Sequence, residues 1–95
     1  MSAYIIADIT IHDPERYNEY ASLSPKFVEK HQGKYMVRGG EVDVIEGDWQ
    51  PQRLVVVEFP SKEHAQAFLH DPDYQAAAAL RHAATTSNLL VVEGN

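Results

Sequence analysis

Tyr4-Ile5-Ile6-Ala7-Asp8-Ile9-Thr10-Ile11 runs directly into His12-Asp13-Pro14-Glu15-Arg16-Tyr17, and this change of period decides the fold. Through Ile11 the residues alternate. Ile5, Ala7, Ile9 and Ile11 make one apolar face, while Tyr4, Ile6, Asp8 and Thr10 make a mixed one, the pattern of a strand covered on one side. Asp13 then offers a capping carboxylate, Pro14 suits the first helical position and Glu15 complements the helix dipole. A strand that hands over so sharply to a helix is the first half of a split βαβ unit.

Working outward, Tyr17, Tyr20, Ala21, Ser24, Phe27, Val28 and His31 recur at spacings of three and four, so helix one is expected to run to Gly33 with a kink or break at Ser24-Pro25. Lys34 to Glu46 reads as a second extended run, interrupted by a bulge or bend at Gly39-Gly40. Gly47 to Gln52, with Trp49 and Pro51, reads as the hairpin tip. Leu54-Val55-Val56-Val57-Glu58-Phe59 is apolar enough on both faces to be a central strand. Ser61 caps the next helix, whose inward stripe is Ala65, Phe68 and Leu69. Asp71-Pro72-Asp73 restarts helix into the alanine-rich segment Tyr74 to Ala84, and Asn88 to Glu93 is the last strand. The order βαββαβ predicts an α+β, ferredoxin-like domain over residues 1–95 with a four-stranded antiparallel sheet. The echo of Asp13-Pro14-Glu15-Arg16-Tyr17 in Asp71-Pro72-Asp73-Tyr74 supports the two-half reading.

Ninety-five residues is a one-domain length. A chain of this size buries roughly 60 to 70% of its unfolded surface, so burial gained by self-association matters. Eight Lys and Arg against fourteen Asp and Glu give a formal charge of −6, which repels phosphate backbones and anionic lipid and argues against nucleic acid or membrane as partners. No stretch approaches the ~20 apolar residues of a membrane span, and the start has no signal-peptide pattern. The absence of cysteine excludes disulfides, thiolate metal sites and cysteine nucleophiles. A cytoplasmic location is expected.

With helices over Ile5, Ala7 and Ile9, the other sheet face would carry Tyr4, Ile6, Asp8, Leu54, Val56 and Glu58. That mixture is too apolar for a lone solvated face and too charged for a dry core. Pairing with a second copy into a dimeric α/β barrel around a partly polar interior satisfies both demands.

The elements Tyr35-Met36-Val37-Arg38-Gly39-Gly40, Glu46-Gly47 with Trp49 and Pro51, Arg53, Glu58-Phe59-Pro60-Ser61, Tyr74, Arg81 and Glu93-Gly94 together resemble the domain-of-unknown-function family 1330 over nearly the whole chain. His31-Gln32-Gly33 departs from that pattern, where the family often has a tyrosine and a second glycine. The resemblance implies the dimeric α/β-barrel superfamily, which includes cofactor-free oxygenases, isomerases such as muconolactone isomerase, haem-degrading enzymes and chlorite dismutases. It implies no agreed reaction.

Arg38 is the first candidate, because a guanidinium beside a glycine bulge presents a planar fork to a carboxylate or enolate, and its competing role is an ion pair with Asp8 or Glu58. Simple alternation sets Arg38 with Met36 on the cavity side and Tyr35 with Val37 on the helix-covered core side. Glu58, in a central apolar strand, would have a raised pKa and exchange a proton unless an arginine pairs with it. Tyr20 would orient the bound group, and Tyr17, Tyr20 and Tyr74 are equally explicable as core residues. Trp49 covers either a pocket mouth or, preferentially, a partner subunit. Arg53 and Arg81 resemble the family's charged positions and serve as anion contacts or ion pairs.

The five histidines show no HxxxH or HxH spacing, so without cysteines no transition-metal ligand set is expected, and a carboxylate-rich site for a weakly held cation stays open. His82 stands roughly where haem-degrading relatives place an iron ligand, but no apolar pocket pattern accompanies it and no cofactor is expected. Ser61 is better explained as a helix cap than as a nucleophile. Two functions remain open: a pocket for a small anionic or carbonyl-bearing molecule, of an enzyme or a binding protein, with Arg38, Glu58 and Tyr20 at its centre and Arg53, Trp49, Tyr74 and Arg81 around it, or a non-catalytic homodimeric module whose charges are structural.

Overall fold

In a computed structural model describing residues 1–95, β1 (Ala3–Ile11) is followed by α1 (Pro14–Lys30), β2 (Lys34–Arg38), β3 (Arg53–Phe59), α2 (Lys62–His70), α3 (Pro72–Ala84) and β4 (Thr85–Glu93). The strands form one antiparallel sheet in the order β2-β3-β1-β4, the ferredoxin-like α+β arrangement. Alternation along β1 holds as the sequence predicts: Ala3, Ile5, Ala7 and Ile9 are buried beneath the helices. They meet Val57, Phe59, Phe68, Tyr74, Ala77, Ala78 and Ala84 in a core whose largest fully buried side chain is Phe59.

Each helix start is set by its cap. Asp13 accepts from the Arg16 amide at 3.2 Å and Ser61 from the His64 amide at 3.1 Å. Asp71 does more, since it both ends α2 and caps α3, accepting from the Asp73 amide at 2.9 Å. Its other oxygen receives Lys30 Nζ and His31 Nε2, each at 2.8 Å, which ties the end of α1 to the start of α3. The Lys30 and His31 hydrogen bonds hold the Asp71 carboxyl well below the usual carboxylate range.

Three sequence expectations are corrected. The break expected at Ser24-Pro25 does not occur, since α1 continues through Pro25 to Lys30. Proline removes the amide that would bond the carbonyl four residues back, that of Ala21, and Arg38 Nη2 donates to that oxygen instead at 2.7 Å. The second extended run ends at Arg38 rather than near Glu46, because Gly39 turns into the left-handed region (φ 74°) and residues 40–52 leave the sheet. A side chain at Gly39 would also strike the Arg53 guanidinium. Finally, the bulge lies at Met36, not at Gly39-Gly40. Tyr35 faces Val57 and Arg38 faces Val55, while Val37 faces Val56, so one extra residue on β2 reverses the alternation. Arg38 therefore shares the helix-covered face with Tyr35, and Val37 lies on the open face.

The open face carries Tyr4, Ile6, Leu54, Val56, Leu90 and Val92 around Asp8 and Glu58. Both carboxylates have donors: Trp49 Nε1 reaches Asp8 at 2.7 Å and the Tyr4 hydroxyl reaches Glu58 at 2.9 Å. No helix is long and apolar enough to cross a membrane.

Candidate functional site

Between the sheet and helices α1 and α3 lies a small cavity of about 40 Å³, room for a few water-sized groups. Ile5, Ala7, Ile9, Val55 and Val57 form its sheet wall, and Tyr17, Tyr20, Tyr35 and Tyr74 bring phenols to it. Three guanidiniums, Arg38, Arg53 and Arg81, complete the lining, and no Asp, Glu or His is among the lining residues. None of the three makes an ion pair anywhere in the fold. A chain of net charge −6 thus collects three positive charges around one apolar chamber.

The three arginines differ in how they are held. Arg38 is exposed, stacks at 4.6 Å over the Tyr35 ring and is committed to the Ala21 carbonyl. Arg53 Nε donates to the Tyr17 hydroxyl at 3.0 Å, with its guanidinium 5.5 Å from the Tyr17 ring. Arg81 is 6% exposed, and its Nε has no hydrogen-bond partner. It lies 5.7 Å from the Tyr20 ring and touches His82, whose Nε2 is 3.3 Å from Arg81 Nη2. An orphaned donor on a buried, unpaired cation is costly and needs a partner that the protein itself does not provide.

The phenols are mutually satisfied. Tyr20 and Tyr74 share a hydrogen bond of 2.8 Å, as do Ser24 and Tyr35. Burial, reinforced by Tyr74, pushes the Tyr20 phenol far above its ordinary pKa, and burial also raises Tyr35. Tyr20 and Tyr35 are therefore neutral phenols and not bases.

On the far side of Arg81 an open groove of about 600 Å³ runs between α3 and β4, lined by Leu69, Gln75, Ala78, His82, Thr85 and Ser87. Tyr74, Arg81 and Leu89 line both spaces. Burial and the neighbouring Arg81 charge lower the His82 pKa.

Of the residues singled out from sequence, the fold brings Tyr20, Arg38, Arg53, Tyr74 and Arg81 to one cavity. Glu58 is not among them: its odd-even position puts it on the open sheet face, opposite the cavity, bonded to Tyr4. The competing role for Arg38, an ion pair with Asp8 or Glu58, is excluded because both carboxylates lie on the open face and Arg38 on the other. Trp49 is also on the open face, 60% exposed. Sequence reasoning ranked Arg38 above Arg81, although Pro25 four residues after Ala21 already signals an orphan carbonyl that a nearby donor would claim. No three His, Asp or Glu side chains converge.

A family model described as Domain of unknown function (DUF1330) matches residues 2–95. No curated protein matches the chain. Among solved structures, a protein of unknown function from Rhodopseudomonas palustris superposes with a TM-score of 0.80 at 21% identity, covering 99% of this chain and 82% of the other. A dimeric ferredoxin-like protein of unknown function from Jannaschia gives 0.72 at 14% identity, covering 99% and 100%. SnoaB, a cofactor-independent oxygenase from Streptomyces nogalater, gives 0.71 at 14% identity, covering 99% and 93%. At these identities the likeness is one of fold.

Proposed function

The chain belongs to the family of domains of unknown function DUF1330, and from the geometry of its cavity we propose that it binds a small organic anion between sheet and helices, as a homodimer. The single observation that carries this reading is the buried, unpaired Arg81 with its orphaned Nε. A carboxylate or enolate oxygen is the group that matches it, because a charge-assisted bond to an anion recovers the desolvation cost of the guanidinium. Arg53 and Arg38 add positive potential, Tyr20 offers a hydroxyl, and the cavity of about 40 Å³ has room for the anionic end of such a ligand only. An enzyme built on this cavity would stabilise negative charge developing on a carbonyl oxygen, which is compatible with chemistry of the cofactor-independent kind named for SnoaB.

Self-association is supported by the open face, where Leu90 is 53% and Val92 44% exposed beside Ile6 and Val56. The accessible surface of 6040 Å² exceeds the about 5,500 Å² usual for a monomer of this mass. The dimeric description of the Jannaschia protein points the same way. A second reading, a dimeric module with structural charges, is favoured by Arg38, whose bond to Ala21 serves the helix.

Thermal melts with a panel of benzoate, phenylpyruvate and uncharged analogues test the pocket. The acids raise Tm and the analogues do not, and Arg81→Met abolishes the shift. No shift with any acid refutes the binding reading. Sedimentation at micromolar concentration reads the dimer, and a monomer mass refutes it.

A further inference from the structure

The cavity beside Tyr20 holds only a few water-sized groups, whereas the groove outside Arg81 has about fifteen times the space. A ligand larger than acetate therefore lies chiefly in the groove, with its anionic end against Arg81. The groove's titratable groups are Tyr74, Arg81 and His82. Other polar groups there are largely spoken for: the Thr85 hydroxyl donates to the Arg81 carbonyl at 2.7 Å, so the Ser87 hydroxyl, 2.7 Å away, donates to Thr85. Gln75 Nε2 reaches the Leu69 carbonyl at 3.3 Å.

A guanidinium has donors only. The 3.3 Å contact between Arg81 Nη2 and His82 Nε2 is thus a hydrogen bond in which the imidazole accepts, which puts the lone pair on Nε2 and the proton on Nδ1. No carboxylate lines the groove to hold an imidazolium, and the adjacent guanidinium repels one. His82 is neutral at physiological pH, exposed to the groove, and within one residue of the unpaired cation.

We propose that His82 is the proton acceptor of this site, and that the ligand class is a 2-oxo acid or related carbonyl acid with an acidic C–H. This rests on the anion-binding reading of Arg81. The carbonyl and carboxylate oxygens take Arg81, which releases the His82 Nε2 lone pair. Nε2 removes the proton next to the carbonyl, the C–H electron pair moves into the new C=C bond, and the carbonyl oxygen becomes an enolate held by Arg81. The proton on Nε2 exchanges with solvent, to which His82 is exposed, and delivery of a solvent-derived proton from Nε2 to carbon restores the ketone, so atoms and charge balance with no oxidant or co-reactant. Cation and base on neighbouring residues serve the two ends of one proton transfer.

The test uses the full chain with phenylpyruvate in heavy water, following loss of the C3 proton signal by NMR, with binding measured separately by titration calorimetry. Wild type accelerates exchange over buffer, with a rate that rises as pH passes the His82 pKa. His82→Gln, a change at an exposed position, lowers the protein-dependent rate at saturating phenylpyruvate by about 10²-fold or more and removes that pH dependence, with saturation set from the calorimetric affinity of each protein. Binding without exchange in wild type, or exchange unchanged in His82→Gln, overturns the assignment while the binding reading stands. Absence of phenylpyruvate binding in wild type overturns both.

Discussion

Replacing Arg81 with methionine should make the protein more stable and less able to bind. Arg81 is 6% exposed, no acid pairs with it, and its Nε is unsatisfied. An unsatisfied buried donor costs about 1–3 kcal/mol. Methionine keeps an apolar stem of similar reach and removes that cost. Against this, the variant loses the stacking on Tyr20, 5.7 Å away, worth about 0.5–1 kcal/mol, and the Nη2 hydrogen bond to exposed His82, which at 3.3 Å is worth about 0.5 kcal/mol. The difference favours Arg81→Met by about 1 kcal/mol, or a rise in Tm of roughly 4–8 °C for a domain of this size. Calorimetric melts of both proteins at one fixed concentration, without added acid, measure it, since a dimer's Tm depends on concentration. A loss of about 3–5 kcal/mol instead, the usual cost of breaking a buried charge pair, would show that the guanidinium is a structural element and would refute the reasoning.

Arg38→Met should cost about 0.5–1.5 kcal/mol by freeing the Ala21 carbonyl; Pro25→Ala, which restores the amide, should raise Tm and shrink the Arg38→Met penalty, and a double-mutant cycle with no coupling removes the explanation. In Gly33→Ala the new methyl would sit 2.7 Å from the Phe59 ring and 2.8 Å from Val28, an overpacking cost of about 1–3 kcal/mol, read as a lowered denaturant midpoint; an unchanged midpoint shows that the ring can move aside. The Asp71 pKa is depressed on folding, so its contribution is complete above the ordinary carboxylate range and is lost as pH falls through the depressed value. Asp71→Asn should therefore flatten the acid limb of the stability profile, and an equally steep limb in the variant contradicts the assignment.

The βαββαβ order, the inward face of β1 and the caps at Asp13, Ser61 and Asp71 were legible in the sequence because each depends on residues within a turn or two of one another. Arg38 and Glu58 show where that legibility stops. Alternation counts residues along one strand, but the Met36 bulge exists only as a mismatch between β2 and β3, and it carries Arg38 to the face opposite the one that counting assigns. Glu58 follows alternation faithfully and ends on the open face with Tyr4; counting set the cavity on that face as well, whereas the cavity lies on the other face, where α1 and α3 close over the sheet. Pro25 likewise reads locally as a break, and only the approach of β2 supplies the donor that lets α1 continue. The same holds for the arginines. Their charge is written in the sequence, but whether a guanidinium finds a partner depends on what folding brings within about 3 Å of it, and only the tertiary structure gives Arg38 and Arg53 theirs while leaving Arg81 without one at Nε.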